Sequence, residues 1–174
     1  MVRARWIVPF LAGLLAPPAA AQEEKLDAEG LRTRERAALL DVRTVLMAAR
    51  QFASVNGGYF GELRCLTAPE SCLPEYPNEQ APLLDPTHDW LATRLGYVRK
   101  FHAGPVGNEE ARVRAKAVPA SLRAFAFTVT PEIPGETGLR SFCGDSTWKV
   151  CAVPNGTLPP VKEGRCAAPC QELK

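Results

Sequence analysis

The sequence predicts an α+β domain in which one long N-terminal helix packs on a small antiparallel sheet and disulfides staple the loops. Three observations predict it: an apolar stripe at helical spacing within 27–55, an alternating segment at 124–130, and six cysteines in a chain of 174 residues. A sheet with one solvated face must cover its other face, and the helix is the only large apolar element available for that.

The long helix is predicted from about Asp27 to Val55, and Asp27 is the predicted N-cap because its carboxylate can accept free backbone N–H groups. Asn56, Gly57 and Gly58 predict its end, since these residue types tolerate the left-handed conformation of a C-cap. The stripe consists of residues that recur at three- and four-residue steps: Leu39, Val42, Leu46, Ala49, Phe52 and Ala53. The side expected to face solvent carries Arg36, Asp41, Arg43 and Arg50.

Three or four strands are predicted to follow as an antiparallel meander. The segment 96–102 alternates, and it places Tyr97, Arg99 and Phe101 on one side. The segment 124–130 alternates in the same way, so that its core-facing residues are Phe125, Phe127 and Val129. Two further segments, 139–143 and 148–153, flank a polar turn and predict a hairpin.

The six cysteines are even in number, which in an exported protein indicates three disulfides. Spacing favours neighbouring pairs, and the predicted bonds are therefore Cys65–Cys72, Cys143–Cys151 and Cys166–Cys170. A zinc site is the competing interpretation. It lacks the paired Cys-x-x-Cys knuckles typical of such sites, and its ligands would be Cys143, Cys151, Cys166 and Cys170.

The first 21 residues are typical of a secretory signal peptide. Arg3 and Arg5 precede a short apolar run, and an Ala-rich site predicts cleavage after Ala21. The apolar run is shorter than the ~20 residues that span a bilayer, so no stable membrane span is expected after signal removal. The expected domains are a signal peptide at 1–21, the α+β domain at 22–153 and a proline-rich tail at 154–174.

Charge excludes one class of partner. The chain has 21 basic and 19 acidic residues; without Arg3 and Arg5 the basic residues number 19, so the mature net charge is zero. A general nucleic-acid binder needs a basic surface to neutralise phosphates, and we therefore expect no nucleic-acid partner.

Several segments resemble the type IV pilin and type II secretion pseudopilin family. The segment 37–59 resembles the second half of the pilin helix and its polar–Gly–aromatic exit. The segments 96–97, 125–130 and 134–145 resemble pilin-like sheet segments of exported bacterial proteins. The resemblance covers about 30–153, and it implies a bacterial envelope protein with a pilin-like fold. The prepilin leader and the apolar spine of that family are not recognisable here, so the resemblance implies the fold and not assembly into a fibre.

Candidate chemistry is sparse. Asp85, His88 and Asp89 form the one histidine–carboxylate grouping that predicts a metal site, and the competing interpretation is a cap at Asp85 or Thr87 before a short helix from Trp90. Asp145 and its neighbours Ser146 and Thr147 offer few oxygen ligands for calcium, and a hairpin turn is the alternative.

These observations predict a periplasmic or secreted, non-enzymatic protein that binds other envelope proteins and acts in structure or interaction, with a link to a secretion or pilus-type system. No cofactor and no small-molecule substrate is indicated. The alternative is an envelope metal-binding protein or enzyme that uses Asp85, His88 and Asp89.

Overall fold

A computed structural model of the chain describes residues 19–77 and 80–173, with side chains from residue 28 onward. The predicted signal peptide, 1–21, lies outside the described residues apart from the backbone of 19–21. The described fold is α+β, as predicted: a long N-terminal helix lies against a five-stranded antiparallel sheet. None of the helices in this part of the chain combines the length and the apolar content that a bilayer crossing requires.

Helix α1 runs from Ala19 to Val55. The predicted N-cap at Asp27 is therefore wrong, because Asp27 lies inside the helix. The chain between Ala19 and Asp27 contains neither proline nor glycine, so no helix-breaking residue prevents the helix from beginning earlier.

The predicted end of α1 is confirmed, and Asn56 has a second use that the sequence did not reveal. Gly57 and Gly58 adopt positive φ values of 60° and 84°. Asn56 is fully buried; its Nδ2 donates to Ser121 Oγ at 2.9 Å, and its Oδ1 accepts from the Val118 backbone N–H at 3.0 Å. The side chain of Asn56 thus fastens the helix end to a distant segment.

The connection after α1 contains little regular secondary structure. Helix α2 spans Leu63–Thr67, and a 3-10 turn spans Pro69–Ser71. The predicted Cys65–Cys72 disulfide is present and closes this loop beside the helix end. A further helix, α3, spans Glu109–Arg114 on the surface.

The main sheet contains five antiparallel strands in the order β1-β2-β3-β4-β7. The meander of β1 to β4 was predicted, whereas the short fifth strand comes from the C-terminal tail. A separate two-stranded sheet, β5-β6, also lies in the tail. The strand bounds are β1 Tyr97–Ala103, β2 Phe125–Pro131, β3 Ser141–Asp145, β4 Val150–Val153, β5 Val161–Lys162, β6 Arg165–Cys166 and β7 Gln171–Glu172.

The core lies between α1 and one face of the main sheet, as predicted. The apolar stripe of α1 and the side chains of Phe125, Phe127 and Val129 belong to one buried cluster. Gly144 of β3 lies directly beneath the helix, since a Cβ added there would come within 2.5 Å of Val42 Cγ1. Only a residue without a side chain lets α1 approach the sheet this closely at that point.

The second face of the sheet is also covered, which differs from the expected solvated face. Ala126 is fully buried there, beside cysteines of β3 and β4, and Val161 of the tail packs against them. The whole of β2 is consequently buried apart from Thr130, which is partly exposed. The tail therefore acts as a second layer over the central strands.

Two of the three predicted disulfide pairings are wrong. Cys143 and Cys151 lie opposite each other on β3 and β4, but each bonds to the tail: the disulfides are Cys143–Cys166 and Cys151–Cys170. The bonds span 23 and 19 residues, and in the chain-entropy account each contributes about 3 kcal/mol by constraining the unfolded chain. Spacing alone could not find them, because they depend on where the tail lies.

We expect non-reducing peptide mapping of the protein to identify the Cys143–Cys166 and Cys151–Cys170 linkages. Peptides that join Cys143 to Cys151, or a closed loop between Cys166 and Cys170, would contradict the arrangement of the tail over the sheet.

The substitution Phe52→Ala is expected to lower the free energy of unfolding by about 3–5 kcal/mol, because it opens a cavity at a side chain with 0% exposure. Urea denaturation with the disulfides intact measures this change. Met47→Ala on the solvent side of the same helix, where Met47 is 65% exposed, is the control and should stay within about 0.5 kcal/mol.

Candidate functional site

The three residues of the predicted metal site, Asp85, His88 and Asp89, lie in an irregular loop that precedes β1. Asp85 Oδ1 accepts the backbone N–H of Thr87 at 2.8 Å and its hydroxyl at 2.7 Å, and these hydrogen bonds lower the pKa of Asp85. Asp89 Oδ1 accepts the backbone N–H groups of Leu91 and Ala92 at 2.9 and 3.1 Å. Both carboxylates thus stabilise turns. The predicted short helix from Trp90 is wrong, since turns follow in its place.

His88 faces an arginine and not a metal-ligand partner. Its Nε2 lies 2.8 Å from Nη1 of Arg99, which can only donate. His88 Nε2 must therefore carry the lone pair, and that lone pair is used by Arg99. A metal ion at this nitrogen would have to displace the guanidinium and would meet its positive charge.

Arg99 joins this loop to the rest of the domain. Its side chain is 2% exposed; Nε donates to the Ala92 carbonyl and Nη2 to the Asp89 carbonyl, both at 2.7 Å. Nη1 also lies 3.5 Å from Asp41 Oδ2 on α1. Burial lowers the pKa of Arg99, and the charge of Asp41 acts in the opposite direction.

Asp41, predicted on the solvent side of α1, is 7% exposed, and that prediction is wrong. Its carboxylate contacts both Arg99 and Arg94, the latter at 3.1 Å. The sequence did carry a signal for this pair. Arg99 shares one side of β1 with Tyr97 and Phe101, and an arginine on a core-facing side needs an acidic partner.

Asp85, His88 and Asp89 do not converge into a metal-binding group in the described part of the chain. The one group of three ligand atoms within 4.8 Å of one another there consists of Cys143, Cys151 and Cys166. Those sulfurs are committed to disulfides, so neither the histidine site nor the four-cysteine zinc site has the geometry it needs.

Asp145, the candidate calcium ligand, is buried and already satisfied. Its Oδ1 accepts the Thr147 backbone N–H and hydroxyl at 2.8 and 2.6 Å. Its Oδ2 accepts the Cys166 backbone N–H at 2.8 Å. The carboxylate thus closes the β3–β4 turn and ties the tail to it, and the turn prediction accounts for its contacts.

Glu35, like Asp41, is an acidic residue of α1 whose side chain is directed to the sheet. Glu35 is 7% exposed, and its Oε1 accepts the Arg140 backbone N–H at 2.8 Å. Its Oε2 lies 3.0 Å from Arg140 Nη2. A buried carboxylate needs such partners because its desolvation is otherwise costly.

The solvent face of α1 is the candidate interaction surface that remains. Between Gly30 and Asn56 the chain has two acidic residues, Glu35 and Asp41, and both turn to the sheet. Leu40 is 63% and Met47 65% exposed. We name the outer seam as six exposed residues at steps of four and three: Arg36, Leu40, Arg43, Met47, Arg50 and Ser54.

An open cleft of about 550 Å³ lies beside the C-terminal end of this seam. Its apolar walls are formed by Val55 of α1, Leu73 and Tyr76 of the proline-rich loop, and Val118. Its charged lining residues are Glu75 and Lys116. An adjoining depression is lined by seam residues, including Met47 and Arg50. The seam therefore continues into a concave surface that has both apolar and polar lining residues.

Comparison with known proteins adds no assignment: no protein-family model, no curated protein and no solved structure matches the chain.

The substitution Asp41→Asn is expected to lower the free energy of unfolding by about 2 kcal/mol, because it leaves the buried Arg99 charge without a carboxylate. Asp89→Asn is the matched control: Asp89 is exposed, and an amide oxygen can still accept its two N–H groups. The control should stay within about 0.5 kcal/mol in urea denaturation. Equal losses in the two variants would contradict the role assigned to Asp41.

Proposed function

We propose that this chain is an exported, non-enzymatic interaction protein of the bacterial cell envelope with a pilin-like fold. It acts by binding other proteins of that compartment. The proposal joins three independent supports: the compartment indicated by the cysteines and the leader, the architecture, and the exposed surface of α1.

The compartment is supported by covalent chemistry. All six cysteines are paired in three disulfides, which fits an oxidising extracellular or periplasmic setting. The basic residues, apolar run and Ala-rich site within 1–21 point the same way, toward a periplasmic or secreted protein.

The observation that carries the interaction role is the contrast between the two sides of α1. The apolar stripe and both carboxylates are turned to the sheet, while the solvent side displays arginines together with Leu40 and Met47. Leu40 and Met47 are each more than 60% exposed on this helix face. Binding of a partner that covers them is favourable because it removes their apolar surface from water.

The pilin-like architecture supports the link to a secretion or pilus-type system. A long N-terminal helix on an antiparallel meander is the arrangement that the resemblance at 37–59 and 125–130 implies. Residue-level chemistry does not contribute to this link, which rests on the resemblance and the architecture together.

In-cell photo-crosslinking tests the proposal. With a photoreactive amino acid at Met47, we expect adducts with envelope proteins, and we expect none at Val98, an exposed position on β1. The same cells should contain the protein in the periplasm or medium, with no free thiols by alkylation.

Two results would contradict the proposal. One is a protein retained in the cytoplasm with alkylatable thiols. The other is an exported protein that forms no adduct at Met47, Val98 or Ile133, which sample the helix, the sheet and a loop as exposed positions.

A further inference from the structure

The outer seam of α1 has the period of a helix–helix contact. Arg36, Arg43 and Arg50 recur every seven residues, and so do Leu40, Met47 and Ser54. The combined steps of four and three residues keep all six side chains in one narrow row, because a seven-residue repeat drifts by only about 20° per heptad. The row is roughly 27 Å long at 1.5 Å per residue.

The charge of the seam is of one sign. Arg36 and Arg43 are exposed, and the guanidinium of Arg50 is held 5.5 Å above the Trp148 ring. The carboxylates that would ordinarily balance them, Glu35 and Asp41, are used by arginines of the sheet side of the domain. A surface with three cations and no anion along its length attracts a carboxylate-bearing partner.

The apolar part of the seam alternates with that charge. Leu40 and Met47 stand between successive arginines and are 63% and 65% exposed. A partner helix that covers them would pack one apolar residue per heptad between flanking acidic residues. In such a contact the charged residues of the row set the choice of partner, because like charges repel and opposite charges attract.

We propose that the outer seam of α1 binds an amphipathic α-helix of a partner protein, and that this helix carries one apolar residue per heptad flanked by Glu or Asp. The inference rests on the proposed function and names the chemical class of the partner. Carboxylates on the partner would pair with the arginines of the seam, because Glu35 and Asp41 pair with arginines on the sheet side instead.

Two other occupants fit less well. A second copy of the chain would place its own Arg36, Arg43 and Arg50 against the same residues, and like charges repel. An anionic membrane would attract the arginines, but a helix that lies in a membrane interface buries a broad apolar face, and that face of α1 is sealed against the sheet.

Binding of a synthetic peptide to the disulfide-bonded protein tests the inference. The probe is a labelled helical peptide of about 28 residues, four heptads, with Leu and Glu at the steps of the seam and Ala and Gln elsewhere. The control peptide replaces every Glu with Lys. Fluorescence anisotropy should show the acidic peptide binding at least about tenfold more tightly than the basic one, and more weakly as salt rises from about 50 to 300 mM.

Variants of the chain locate the contact. Arg36→Glu with Arg43→Glu should weaken binding of the acidic peptide at least about tenfold and strengthen binding of the basic one. Arg114→Glu with Arg123→Glu, two exposed arginines outside α1, is the matched control and should stay within about twofold. Leu40→Asn with Met47→Asn keeps the charge and should weaken binding at least about threefold. All six substituted positions are exposed, so the melting curves of the variants should coincide with that of the unchanged protein.

The inference is overturned if the two peptides bind alike, if the control pair of arginines matters as much as Arg36 and Arg43, or if the Leu40 and Met47 changes have no effect. It is also overturned if vesicles with about 30% phosphatidylglycerol bind the protein through Arg36 and Arg43 while the acidic peptide does not bind. Any of these results together with adducts at Met47 in cells would leave the interaction role standing and reject only the partner's chemistry. Absence of adducts at all three exposed positions, Met47, Val98 and Ile133, would reject the proposed function itself.

Discussion

Helix α1 packs closely on β2 and β3, and the other elements take their positions from this contact. At Gly144 the helix and the sheet meet with no room for a side chain, and Phe127, which lies opposite Gly144 on β2, belongs to the buried cluster between them. Burial of the apolar stripe of α1 contributes about 25 cal/mol for each Å² of apolar area removed from water. It also draws the edges of the helix into the interior, including residues that are not apolar.

The electrostatic pattern of the surface is a consequence of that packing. Once Glu35 and Asp41 are drawn inward, each needs a cation, and Arg140, Arg94 and Arg99 supply it from beyond the helix. The ion pairs of Asp41 and the hydrogen bonds of Arg99 hold the 85–92 loop against α1 and β1. The loop that contains His88 and two aspartates therefore has a structural role. Between Gly30 and Asn56 the two carboxylates of α1 are thus turned away from the arginines of its solvent side, and the outer seam is basic.

The C-terminal tail covers the second face of the main sheet. The part of the main sheet formed by β1 to β4 presents two faces, and α1 covers one. The second face is covered by a segment with little apolar area of its own, in which Val161 and the half-cystines are the main contacts. Two disulfides that each close a long span compensate for that small area, and the Asp145–Cys166 hydrogen bond aligns the tail with the β3–β4 turn.

Sequence patterns were enough to predict the elements whose signal is local: the apolar period of α1, its end at two glycines, the alternation at Phe125, Phe127 and Val129, and the short-range Cys65–Cys72 bond. Helical and strand periods are read over neighbouring residues, and a two-layer domain follows from them with few alternatives. The partners of four residues could be identified only in the folded protein: those of Cys143, Cys151, Asp41 and His88. Those partners lie 11 to 58 residues away along the chain, and nothing in local spacing favours them over nearer candidates. The outer seam depends on both: its heptad steps are visible in the sequence, but only the fold turns Glu35 and Asp41 away from it and toward the sheet.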